Sequence, residues 1–86
     1  MGDIILATVA QLIHSNDVHS KRLGELIASI KDELEDGRLT YDEFDSLMID
    51  VEALRKTIEN THTIEFTKQI HDAVCALIEL AKMAKF

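Results

Sequence analysis

Eighty-six residues, 47% hydrophobic and 29% charged with no proline, describe a single domain over residues 1–86 and leave no room for a second. The net charge of −7 is concentrated: residues 31–60 hold ten acids against four bases (Lys31, Arg38, Arg55 and Lys56). That balance excludes a surface built to replace phosphate counterions, so direct nucleic-acid binding is not expected and a protein partner, basic if it meets this segment, is the natural one.

A chain this short buries only about 60% of the surface it exposes when unfolded, and its core is marginal if it stands alone. Small domains remedy this with disulfides, a structural metal or self-association. One cysteine, Cys75, cannot form an internal bridge, which makes a homodimer the expected remedy and fits a reducing, cytoplasmic setting. The apolar run Ile4 to Ile13 lacks the basic flank of an export signal, and no stretch approaches the 18 or so apolar residues of a membrane span.

No window alternates apolar and polar residues with period two, whereas 3,4 spacing runs almost end to end, so the chain is predicted to be all-α. Leu6, Val9, Ile13, Asn16, Ser20, Leu23, Ile27, Ile30 and Leu34 share one register, widened by Ile5, Leu12 and Leu26. Ser15, Asn16 and Asp17 are all N-cap types, which splits this register into a helix near 3–15 and another near 17–36. The unbroken register equally permits one continuous helix with Asn16 and Ser20 as polar seam positions.

Residues 36–44, Asp-Gly-Arg-Leu-Thr-Tyr-Asp-Glu-Phe, carry the sharpest local signal. Gly37 suits the left-handed backbone that ends a helix. Thr40 and Glu43 form a capping box, and Leu39 with Phe44 makes the hydrophobic staple around it. An antiparallel helical hairpin around residues 36–41 follows, and loss of the Thr40 hydroxyl is expected to cost about 1 kcal/mol.

Beyond the hairpin, Phe44, Leu47, Val51, Leu54 and Ile58 define a helix near 41–60. A shifted stripe of Phe66, Ile70, Ala73, Leu77, Leu80 and Ala84 defines another near 63–85, with capping types from Asn60 to Thr63 between them. The expected architecture is a small bundle of four helices, or three if the first two are continuous.

Asp32, Asp36, Gly37, Leu39, Thr40 and Glu43 occupy positions one, five, six, eight, nine and twelve of a segment that resembles the calcium loop of the EF-hand family, followed by that family's usual Phe, here Phe44. The resemblance implies Asp32, Asp36 and Glu43 as calcium ligands. It departs from the family pattern at Leu34, which cannot ligate and falls on the buried stripe, and at Lys31, where an apolar residue is usual.

Glu59 and His62 form a Glu-x-x-His pair, the spacing that ligates metal in di-iron carboxylate bundles. Such sites need a second motif and two further glutamates, which only a second copy of the chain would bring.

His14 and His71 lie beside apolar stripes, and Cys75, among Ala73, Val74, Ala76 and Leu77, reads as a small core residue. Glycine occurs only at positions 2, 24 and 37, which leaves no Gly-rich phosphate loop.

Without a catalytic constellation, the expected function is that of a small non-enzymatic interaction or regulatory module that needs no cofactor. Short acidic helical chains of this type are common among phage and plasmid accessory proteins, a resemblance of type with no motif behind it. The expected partner-binding residues are Asp42, Asp45, Asp50 and Glu52, with Met48 and Ile49 as exposed apolar neighbours. A metal-binding bundle using Asp32, Asp36, Glu43, Glu59 and His62 is the alternative. An acidic mimic of DNA is a third reading, opposed by the four bases within the acidic segment.

Overall fold

The structure, a computed structural model, describes residues 2–84, of which the first two are described by their backbone alone. Four helices follow one another: α1 (Gly2–Ile13), α2 (Val18–Glu35), α3 (Tyr41–Ile58) and α4 (Ile64–Met83). The fold is all-helical, as the 3,4 spacing predicts. Residue 85, where the predicted fourth helix ends, lies outside the described residues.

The first two helices are separate, and Asp17 decides it. Its backbone is extended (φ −85°, ψ 126°), and its carboxylate accepts the Ser20 amide at 2.9 Å, capping α2. The break also rotates the buried stripe. α1 buries Ile5, Thr8, Val9 and Leu12, while Leu6 is 56% exposed and Ile13 lies at the surface, so of the register residues Leu6, Val9 and Ile13 only Val9 faces the core. Apolar residues surround α1, and which of them turn inward is set by the crossing with α2.

That crossing is close at Gly24. A Cβ built there would lie 2.9 Å from Leu12 Cβ and 3.2 Å from the Val9 carbonyl oxygen, so α1 occupies the space a side chain would need. Glycine within a helix costs about 1 kcal/mol relative to alanine, and the near approach of the α1 backbone offsets it.

At the other end of α2, the chain turns as the sequence predicts. Gly37 has φ of 69°, its N–H donates to the Leu34 carbonyl at 3.2 Å, and the Arg38 N–H donates to that of Glu33 at 3.0 Å. This paired arrangement is a Schellman motif. The capping box then starts α3: the Glu43 amide donates to Thr40 Oγ1 at 3.2 Å, and the Thr40 amide donates to Glu43 Oε1 at 3.1 Å. Leu39 is buried and Phe44 packs against the core, so both staple residues lie on the inner side of the turn.

α2 is the central element, packing against each of the other three helices, and α1 also packs on α4. α3 approaches the backbone of α2 alone. The core comprises Leu23, Ile27, Ile30 and Leu34 of α2, Ile5, Val9 and Leu12 of α1, Ile70, Val74 and Leu77 of α4, and Val51 and Ile58 of α3. The result measures 35 × 23 × 17 Å, a slab rather than a square bundle.

Candidate functional site

α3 buries least. Of its 18 residues only Val51 and Ile58 are fully buried, while Phe44, Leu47, Met48 and Leu54 pack against the core from partly exposed positions. Tyr41 and Ile49 are exposed at 64% and 65%. Asp42, Asp45, Asp50 and Glu52 all project from this helix into solvent. Glu52 is neutralised by Arg55 at 2.7 Å, whereas Asp42, Asp45 and Asp50 make no ion pair among the described residues. Met48 differs from expectation: it is half-buried against the core, and the exposed apolar residue of this face is Ile49.

Because the backbones of α3 and α4 both lean on α2 without approaching each other, a cleft opens between them that only side chains bridge. Its larger part has a volume of about 460 Å³ and is lined by Arg55, Glu59, Asn60, His62, Ile64, Thr67, Lys68 and His71. An adjoining part of about 430 Å³ shares Arg55, Glu59 and Thr67 and adds Glu52, Ala53 and Lys56. This is where an acidic chain gathers cations and two of its four histidines.

One histidine in the cleft is tied to the top of the bundle. Ser20, fully buried, contacts Asp17 Oδ2 at 2.8 Å and His62 Nε2 at 2.7 Å. A hydroxyl has one proton, and the carboxylate can only accept, so the Ser20 proton goes to Asp17 and His62 donates from Nε2. The order Asp–Ser–His leaves no free imidazole lone pair at the hydroxyl, so it anchors the α3–α4 turn rather than activating Ser20 as a nucleophile. His62 also stacks edge-on against Phe66, with ring centres 4.9 Å apart. The Ser20 hydroxyl and then its amide, both donating, hold the Asp17 carboxyl below its ordinary value of 3.8, with smaller help from the charges of His19 and His62.

The other histidine connects the two walls. Arg55 Nη2 lies 3.1 Å from His71 Nδ1, and His71 Nε2 lies 3.5 Å from Cys75 Sγ. A guanidinium only donates, so Nδ1 accepts and the ring proton sits on Nε2, facing the sulfur. Cys75 is exposed, not the small core residue its apolar neighbours suggest. The i,i+4 spacing of His71 and Cys75 was the available signal, but neighbours such as Ala73 and Leu77, two residues away in sequence, mark a buried stripe on the opposite side of the helix, about 160° from Cys75.

The residues considered for a metal are employed separately. Asp32 is an exposed helical residue, since α2 continues through Glu35. Asp36 caps that helix and pairs with Arg38 at 3.0 Å. Glu43 Oε1 accepts from both the Thr40 amide and hydroxyl, amide first in effect, which holds its carboxyl below its ordinary 4.5. Glu59 ends α3 and His62 is held by Ser20. Among the described residues no three His, Cys, Asp or Glu side chains gather to hold a metal ion. No helix among them is long and apolar enough to cross a membrane.

Compared with models of protein families, with curated proteins and with solved structures, the chain shows no match.

Proposed function

We propose that the chain is a small, non-enzymatic interaction module of the cytoplasm that self-associates and offers the outer face of α3 to a protein partner. The observation that carries this reading is the state of α3: a helix whose backbone approaches α2 alone, with Ile49 65% exposed beside Asp42, Asp45 and Asp50, which make no ion pair among the described residues. An exposed apolar anchor rimmed by like charges is the composition of a surface that docks a basic, amphipathic segment. The regulatory role of a phage or plasmid accessory protein is compatible with this reading.

The test is capture of binding proteins by the wild type and by an Asp45→Lys, Asp50→Lys variant, with Glu25→Lys, an exposed position of α2, as the control. Proteins retained by the wild type and the control but lost from the double variant support the α3 face. Capture unchanged in the double variant overturns that placement.

A further inference from the structure

We propose that His71 and Cys75 form one half of a tetrahedral zinc site, completed by the same two residues of a second copy of the chain. The inference rests on the self-association reading above and names the chemistry that would hold two copies together.

Four residues apart on α4, the two side chains share a helix face, and both are exposed. The backbone of α3 stays clear of α4, so its side chains alone border this face. The separation is the notable quantity. Two ligands at about 2.3 Å (sulfur) and about 2.0–2.1 Å (imidazole nitrogen) from zinc, at the tetrahedral angle, stand about 3.5 Å apart. Cys75 Sγ and His71 Nε2 are 3.5 Å apart. A thiolate and an imidazole are soft enough to select zinc over calcium or magnesium.

One chain supplies two ligands and no third, since no group of three ligating residues exists among the described residues. Four-coordination is reached when a second α4 brings its own pair across a two-fold axis through the metal, the isologous geometry most homodimers use. The flanking Ile64, 87% exposed, and Ile78, 37% exposed, would lose water on the same approach.

The proton balance is definite. Each thiol gives its proton to solvent, and each neutral imidazole moves its ring proton from Nε2 to Nδ1, so one zinc releases two protons. The moved proton then faces Arg55, which itself only donates. Arg55 must therefore withdraw toward Glu52, which already holds its other nitrogen at 2.7 Å. Arg55 is thus a built-in competitor of the metal, and a residue able to accept from Nδ1–H should tighten binding.

Light scattering after size-exclusion chromatography, with zinc chloride alone added and then removed by a chelator, measures the assembly. Cobalt(II) in place of zinc reports thiolate ligation through its charge-transfer absorption. The expected result is one metal per two chains, a mass that doubles with zinc and reverts with chelator, and loss of both effects in Cys75→Ser and in His71→Gln. Both positions are exposed, and circular dichroism of each variant checks that the fold survives. Arg55→Gln should bind zinc about tenfold more tightly, the scale of changes in a metal's outer shell. Dimerisation of equal strength with and without zinc overturns the zinc site and leaves self-association standing. A monomer under both conditions overturns both, and Cys75→Ser assembling with zinc like the wild type overturns the assigned ligands.

Discussion

The α1–α2 seam and helix α3 are built from similar apolar content and end up differently held. At the seam, Leu12, Leu23 and Ile27 are fully buried, and a glycine lets two backbones meet at a distance where no Cβ fits. α3 is longer than α1 and equally regular, yet most of its apolar residues stay partly exposed because only the backbone of α2 comes close enough to cover it. Burial here follows the number of helices a side chain faces more than its hydrophobicity. The seam is where stability is concentrated, and α3 is where surface remains to be used.

The largest test of that contrast is truncation on both sides of it. Leu12→Ala should cost about 3 kcal/mol, because a fully buried leucine in a closed seam leaves a cavity that cannot collapse. Leu54→Ala, half-buried on α3, should cost about 1–2 kcal/mol. Urea denaturation reads both, and equal losses would show α3 to be as firmly held as the seam.

A smaller effect sharpens the same point at Gly24. Alanine gains about 1 kcal/mol of helix propensity but must push Leu12 and the Val9 carbonyl aside, at a cost of about 1–3 kcal/mol. The expected net loss of about 1 kcal/mol lowers the melting temperature by about 4–8 °C in a domain of this size. A rise on substitution would mean that the seam opens freely.

The smallest expected effect is with acid, and it touches each region once. Asp17 caps α2 beside the seam, and Glu43 closes the box at the start of α3. Both carboxyls are lowered in the folded chain, so their contributions are fully present above the ordinary values of 4.5 and 3.8 and fade as pH falls through the lowered ones. Thermal melts from pH 6 downward should be flat until about pH 4.5 and then decline. Asp17→Asn and Glu43→Gln should each flatten part of that decline, and an unchanged slope in both would assign acid lability to other groups.

Local signals in the sequence were legible because they act within a few residues. Gly37, the Thr40–Glu43 box and the caps at Asp17 and Thr63 all have sequence signatures, and they place all four helices within about three residues. Tertiary choices were not. α1 is apolar on every side, so periodicity could not tell Ile5 and Leu12 from Leu6 and Ile13. Thr8 is fully buried, and its hydroxyl accepts from Gln69, 61 residues away, at 3.1 Å. Ser20 in α2 and His62 in the α3–α4 turn meet across 42 residues, and no local pattern announces it. Gly24 had a readable cost, the helix penalty of glycine, whose compensation appears only once α1 is in place.

The three short connections carry a kinetic consequence. α1 with α2, and α2 with α3, are joined by four and five residues, so most of the fold consists of contacts between chain neighbours. Low contact order of this kind places folding in the microsecond to millisecond range. With no proline in the chain, no isomerisation slows it to seconds. The one long-range closure is α4 onto α1 and α2, where Gln69 reaches both Thr8 and Gln11. That docking cannot begin until α4 has been synthesised, so a nascent chain holds its helical hairpins ready and finishes in one late, rapid step.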